Sequence, residues 1–321
     1  MVPVVPRQRL VSDRCIAVTG ATGFLGSRLV THLVGQDVRA LVRTPAPWLD
    51  AVPQVPLDLL SPPEEIAAAI TGVDTVVHLA GLNEVVANAD PDRALTETIV
   101  AARHVAEAAS IAGVTRVVYV STVHVYGDRL APGTRVDEDT PPAPRAPYAI
   151  ARLAAEHLVG TTASPVVLRL TNAVGAPVHI DVDRWTLVAP DLCRAAITTG
   201  ELVLRSSGQQ WRDFIALDDV VRVLRAAVDL DAVPAGTYNL ASGRPMTVRA
   251  LAELVQDRVE AATGQRPSLC APAPEGPDPE PYHVDTGRLA ALGYEAVVPV
   301  TDAIDALIQL CLAHASEMVR Q

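Results

Sequence analysis

At 321 residues the chain is long enough to bury one large core or two modest ones. Its 49% hydrophobic and 20% charged residues make a globular composition and exclude a disordered one. A formal net charge of -11 argues against a nucleic-acid partner, so an anionic ligand needs a few local arginines instead of a global field.

The four cysteines (Cys15, Cys193, Cys270, Cys311) are scattered, with no C-x-x-C pair, and read as free, mostly buried thiols of a reducing cytosol. No metal site is expected. Two prolines interrupt the apolar residues of Met1–Asp13, and no run of ~18 apolar residues exists, so a soluble cytoplasmic protein with no membrane contact is expected. All 26 basic residues are arginine. Schiff-base chemistry by lysine is thereby ruled out, and arginine must carry every cationic role.

In chain order, Cys15–Thr19 reads as a short buried strand, followed by a glycine-rich turn and a helix around Ser27–Val34. Val38–Val42, Val55–Leu57 and Thr75–Leu79 read as further strands, with Pro62–Ile70 and Asp92–Ala112 as the intervening helices. Arg116–Ser121 is a strand, Tyr148–Val159 a helix and Val166–Leu170 a strand. This alternation predicts an α/β, Rossmann-type doubly wound parallel sheet. After Asn172 the rhythm changes, with helices near Leu187–Thr199, Asp218–Asp229, Thr247–Ala262 and Thr301–Ala315. Strands are expected at Leu202–Leu204 and Thr237–Leu240, and a proline-rich connector at Ala271–Pro281. The expected division is a dinucleotide-binding unit of residues 1–171 and 211–245. A smaller, partly C-terminal substrate lobe takes residues 172–210 and 246–321. Ligands should lie at the carboxyl ends of the strands.

Gly20-Ala21-Thr22-Gly23-Phe24-Leu25-Gly26 follows the first strand directly and opens a helix. Close backbone approach to a pyrophosphate needs residues without side chains, and a helix N-terminus supplies N–H groups and a favourable dipole. The second strand should end at the adenosine ribose, where NAD-specific proteins place an acid. Here it ends in Val42-Arg43. A guanidinium there suits the 2′-phosphate of NADP, although a solvated strand-end charge is the plainer alternative. NADP is the preferred cofactor on this reading and NAD remains possible.

Tyr148 and Arg152 stand i and i+4 on one helix and therefore share a face. A tyrosine with an ordinary pKa of ~10 is a poor acid–base group at neutral pH, and a neighbouring cation favours its phenolate. Thr122 follows the preceding strand and can hydrogen-bond the substrate oxygen whose proton Tyr148 exchanges. If the strand continues, His124 points into the same pocket as Thr122. With an ordinary pKa of ~6.5 it either moves a second proton or only hydrogen-bonds its surroundings.

The motifs GATGFLG, LDLL, VVHLAG, VVYVSTVHVYGD, PYAIAR, RLTNAVGAP and WRDFIALDDV, in this order, resemble the extended short-chain dehydrogenase/reductases, the NAD-dependent epimerase/dehydratase family. The resemblance covers nearly the whole chain. It implies cofactor contacts from Gly20, Thr22, Gly23, Phe24, Leu25, Gly26 and Arg43. Asp58 and Leu59 would lie beside the adenine, with Leu79, Ala80, Gly81, Tyr148 and Arg152 along the rest of the cofactor. It also implies catalysis by Tyr148 with Thr122 and the basic residue four positions on. That residue is lysine in the family and Arg152 here, and Thr98 stands where the family often has asparagine. His124 occupies a position that often carries a second proton-moving group, and His179 is a weaker candidate for that duty.

On the substrate side the resemblance implies contacts from Asn172 and a diphosphate grip by Arg212, for which an ion pair with Asp213 or Asp218 is the alternative. Many diphosphate-binding relatives carry a second arginine where this chain reads Glu275-Gly276-Pro277-Asp278. That leaves room for a carbonyl substrate without a nucleotide. The leading expectation is an NADPH-dependent ketoreductase of a nucleotide-activated keto-deoxysugar. An NAD-retaining epimerase or dehydratase using His124 is the second, and a non-catalytic dinucleotide sensor the third. A homodimer through Asp92–Ala112 and Tyr148–Val159 is implied by the resemblance alone.

Overall fold

Seven short runs rich in β-branched residues form strands: β1 (Cys15–Thr19), β2 (Asp37–Val42), β3 (Gln54–Pro56), β4 (Thr75–His78), β5 (Arg116–Thr122), β6 (Val166–Leu170) and β7 (Gly236–Leu240). The computed structural model describes residues 14–274 and 276–318, so Met1–Asp13, Glu275 and Val319–Gln321 lie outside the described residues. The strands lie in the order β7-β6-β5-β4-β1-β2-β3, and every pairing is parallel. The order reverses between β1 and β4, the switch point at which such sheets open a crevice.

β1, β5 and β6 are buried on both faces, which is why their sequences run apolar without alternation. Successive side chains feed two cores. Ile16 and Val18 pack with Leu29, Val220 and Leu224, whereas Cys15 and Ala17 pack with Ile66, Val105 and Ala109. A further core of Leu192, Leu251, Val255, Ile304 and Leu307 joins the helices Val188–Thr198, Val248–Thr263 and Val300–Ala313. Among the described residues no helix is long and apolar enough to cross a membrane, and no group of three His, Cys, Asp or Glu side chains gathers to hold a metal. The four cysteines are free, with only Cys270 exposed.

Three elements differ from the sequence reading. The first helix, α1 (Phe24–His32), begins inside the glycine turn instead of at Ser27, because Gly26 already belongs to its first turn. Asp92–Ala112 is not one α-helix. It runs from Pro91–Ala94 through a π-helical turn, Leu95–Val100, into α2 (Ala101–Ala112). A separate helix, Glu84–Ala89, precedes it and is capped by Asn83, whose Oδ1 accepts from the Val86 amide at 2.9 Å. Ala271–Pro281 carries neither helix nor strand among its described residues. A short strand, Trp211–Ala216, pairs in parallel with Asn172–Val174 and antiparallel with Pro245–Thr247.

The end of β4 carries a buried histidine. His78 Nδ1 lies 2.8 Å from Thr19 Oγ1, and its ring stacks on Tyr119 at 5.5 Å between centroids. Burial, reinforced by the charge of Arg152, pushes its pKa from 6.5 down to about 3. The imidazole is therefore neutral in the fold, while the unfolded chain takes up a proton below pH 6.5. A depressed folded pKa means that this contribution is whole above pH 6.5 and drains away as pH falls toward 3. The melting temperature should fall between pH 7 and pH 5, and His78→Gln should fall less over that interval. Equal slopes in calorimetric scans would discard His78 as the source.

Candidate active site

A cleft of about 730 Å³ opens at the carboxyl ends of β1, β2, β4, β5 and β6. Its wall contains Gly20, Thr22, Gly23, Phe24, Leu25 and Gly26 from the first turn and Arg43 from the tip of β2. Leu79 and Gly81 enter after β4, Thr122 and His124 at the end of β5, Tyr148 and Arg152 from the helix α3 (Pro147–Val159), and Asn172 after β6.

The three glycines of the turn have different reasons to be there. Gly20 adopts φ 64°, and a Cβ on it would lie 2.8 Å from the Ala80 amide nitrogen. A Cβ on Gly26 would lie 2.1 Å from the Gly20 carbonyl oxygen, an overlap of backbone with side chain that no rotamer relieves. Gly23 meets only that same oxygen, at 3.2 Å. The chain itself therefore demands the first and third glycines, and the middle one leaves backbone bare at the N-cap of α1. A bare helix N-terminus in a cleft wall fits a diphosphate.

Pro147 occupies the first turn of α3, where its missing N–H is harmless, and the next residue is Tyr148. One turn on, Arg152 sets its guanidinium carbon 5.4 Å from the Tyr148 ring centroid. Arg152 is buried. Its Nη1 donates to Tyr119 Oη and the Val120 carbonyl, both at 3.3 Å, and Nη2 to the Leu82 carbonyl at 3.4 Å. Burial opposes its charge, but the Tyr119 and Tyr148 phenols outweigh that and raise its pKa further. Nε has no partner. The bulk of a guanidinium in place of an ammonium is accommodated at Gly81, where a Cβ would stand 3.0 Å from Arg152 Cζ and Nη2.

His124 reaches the cleft by a route other than strand alternation. β5 stops at Thr122, whose Oγ1 accepts from the His124 amide at 3.3 Å and caps a 3₁₀ stretch, Val123–Arg129. His124 lines the cleft and is exposed. Desolvation by the surrounding protein, with the positive charge of Arg212, lowers its pKa, against a smaller opposing effect of Glu84. Near neutral pH the ring is uncharged and able to accept a proton.

Residues 16–241 match the family model described as "NAD dependent epimerase/dehydratase family". The chain belongs to this family. The dTDP-6-deoxy-L-talose 4-dehydrogenase (NAD(P)(+)) of Kitasatospora kifunensis is 34% identical over 283 residues, 83% of this chain and 84% of its own. The GDP-6-deoxy-D-mannose reductase of Pseudomonas aeruginosa is 30% identical over 251 residues, 75% of this chain and 78% of its own. Among solved structures, MoeE5 in complex with UDP-glucose and NAD covers 94% of this chain and 99% of its own, with 27% identity and a TM-score of 0.79. The protein is accordingly an NAD(P)-dependent enzyme of the epimerase/dehydratase family.

Several of the residues that the family's pattern implies do not line this cleft. Asp58, Leu59 and Ala80 are not in the cleft wall. Asp58 Oδ1 accepts from the Leu60 amide at 2.9 Å, Leu59 packs on the sheet, and the Ala80 amide donates to Thr19 Oγ1 at 3.2 Å. Thr98 is buried in the π-helical turn and does not line the cleft. His179 is also outside the wall; its ring stacks on Trp48 at 5.3 Å with the two planes nearly parallel, and Nδ1 lies 3.4 Å from Asp181 Oδ2. Both of those partners do line the cleft. Asn172 lines the cleft while its Nδ2 donates to the Asp213 carbonyl at 2.8 Å.

Arg212 does not line the cleft but lies close enough for its charge to act on His124, with Nη1 donating to the Trp211 carbonyl at 2.8 Å. Neither weighed ion pair forms: Asp213 accepts from Thr171 and Ser242, and Asp218 pairs with Arg28 at 2.8 Å. The cleft also contains residues that the motifs do not single out, notably Trp48, Asn83, Glu84, Arg93, Asp183 and Arg184. Arg184 pairs with Glu84 at 3.4 Å, tying the loop after Asn172–Val174 to the segment after β4. Four arginines (Arg43, Arg93, Arg152 and Arg184) line the cleft of a net-acidic protein, a local cationic supply for an anionic ligand.

Proposed function

We propose that the protein is an NADPH-dependent ketoreductase of a nucleotide-activated keto-deoxysugar. The observation that carries this reading is Arg43 in the cleft wall at the tip of β2, with no acid at that end of the strand, whose one carboxylate, Asp37, stands at the opposite end. Relatives named for 4-dehydrogenase and reductase activity on nucleotide-linked 6-deoxysugars support the substrate class. The turn Gly20–Gly26 holds the diphosphate of the dinucleotide, and residues 172–210 and 246–321 receive the sugar nucleotide.

When bound, the nicotinamide supplies hydride to the carbonyl carbon. Tyr148 gives the proton from Oη to the carbonyl oxygen, and Thr122 hydrogen-bonds the same oxygen and fixes its direction. Arg152, buried and permanently charged, holds the phenol in place and offsets negative charge developing beside it. A second reading, an NAD-retaining epimerase or dehydratase, draws on His124, an uncharged ring in the same cleft.

Cofactor content of the purified protein, followed by titration with NADPH and NADH, separates the two. The reductase should purify without cofactor and prefer NADPH. Arg43→Asp should lower that preference by roughly tenfold or more, the worth of one charge-assisted contact. NAD that survives purification would overturn the reductase in favour of the second reading.

A further inference from the structure

Arg43 does not stand alone at the tip of β2. Its side chain is 70% exposed, and its Nη1 lies 3.6 Å from Glu97 Oε2. The other oxygen of that carboxylate, Oε1, accepts from Arg93 Nε at 2.5 Å. Arg43 and Arg93 both line the cleft; Glu97 does not and is 22% exposed. One carboxylate thus stands behind two cleft-facing guanidinia, using one oxygen for each. Arg43 comes from the sheet, while Arg93 and Glu97 come from the opposite segment. Glu97 sits in the π-helical turn Leu95–Val100, an irregularity that proteins tend to keep where a side chain must be aimed.

The chemistry of this cluster differs from that of a lone arginine. Two guanidinia can share a phosphomonoester dianion, as two forks on separate oxygens. A carboxylate behind them holds them in place when no phosphate is present, and repels the phosphate when one arrives. We propose that Glu97 is the specificity-determining residue for the adenosine ribose. It clasps Arg43 and Arg93 while the 2′-hydroxyl of NAD(H) is bound, and releases both to the 2′-phosphate of NADP(H). Arg93 is then the second phosphate ligand. The clasp lets one cleft accept either cofactor, because neither bound state leaves both arginines unpaired. This inference rests on the reading that Arg43 faces the adenosine ribose.

The test is equilibrium binding of NADPH and of NADH, measured separately by fluorescence titration of the full chain. The variants are Glu97→Gln, Arg93→Gln and Arg43→Gln, each first confirmed to keep the parent melting temperature. Glu97→Gln should tighten NADPH by about tenfold and change NADH little, and Arg93→Gln should weaken NADPH by a similar factor. Adenosine 2′,5′-bisphosphate, which has no nicotinamide, should follow NADPH, and 5′-AMP should follow NADH. If Glu97→Gln leaves the NADPH-to-NADH ratio unchanged or moves it toward NADH, the clasp is wrong. If Arg43→Gln alone shifts the ratio, the clasp fails and the ribose reading stands. If Arg43→Gln also leaves the ratio unchanged, the reading on which the clasp rests has failed.

Discussion

Tyr148→Phe should lower turnover by about three orders of magnitude and leave dinucleotide affinity within a few-fold, since a positioned proton donor contributes ~10²–10⁴ in rate. The substitution is a narrow one. Phenylalanine keeps the ring beside the Arg152 guanidinium, 5.4 Å from its centroid, so the cation–π contact and the packing of α3 are retained. Only the hydroxyl goes. Stopped-flow reduction and equilibrium cofactor titration read the two quantities separately. A loss below tenfold would leave another group to give the proton, and His124 shares the cleft. His124→Asn is therefore the natural companion. A reductase should tolerate it, whereas an epimerase or dehydratase should suffer as badly from it as from Tyr148→Phe.

The parts of this site that local sequence makes legible share one property: their geometry is set within a few residues. The glycine turn is a strand, three constrained backbone positions and a helix start. The steric demand at Gly26 arises within the turn and the positive φ at Gly20 is local too, although the contact closing on Gly20 comes from Leu79 and Ala80 after β4. Tyr148 and Arg152 meet because a helix puts i and i+4 on one face. β1, β4, β5 and β6 were readable because burial on both faces leaves a largely apolar run. His124 is an instructive intermediate case. Its place in the cleft follows from a capped 3₁₀ turn, although alternation along a strand would have led to the same expectation.

Residues delivered by tertiary approach were not legible. Glu97 reaches Arg43 from more than 50 positions away in sequence, through a π-helical turn that no periodicity announces. Arg184 meets Glu84 across the cleft, and Trp48 meets His179 between two loops without regular structure. An aspartate–arginine pair within Asp181–Arg184 was the only local hint that this loop carries charge to the cleft. Arg212 is the reverse case: its motif was readable, but the contact of its Nη1 with the Trp211 carbonyl and the action of its charge on His124 are not encoded in the motif.

Beneath Tyr148 and Arg152 lies a buried polar chain whose loss should be the largest stability change. Glu156 stands one turn beyond Arg152 on α3, on the face that also presents Tyr148. Its carboxylate receives Ser121 Oγ at 2.5 Å and a paired contact from Arg169, with Nη2 to Oε2 at 2.8 Å and Nε to Oε2 at 3.2 Å. Arg169 in turn lies over the Tyr126 ring at 4.9 Å, and Tyr126 Oη donates to Asn239 Oδ1 at 2.7 Å. Both charged side chains are 7% exposed, and Arg169 Nη1 already lacks a partner. Glu156→Ala would strand a guanidinium in the interior. Breaking a buried pair on one side typically removes about 3–5 kcal/mol, so a fall in melting temperature of roughly 10 °C is expected. Replacing both partners by methionine should recover much of that loss, because no uncompensated charge remains. Activity offers a second readout, since Ser121 adjoins Thr122 in the cleft wall while Glu156 itself does not line the cleft. Glu156→Gln, which keeps an acceptor for Ser121, should lose stability but retain more turnover than Glu156→Ala at a temperature where both remain folded. If the two variants lose turnover equally, Glu156 supports only the fold and leaves the position of Thr122 to β5.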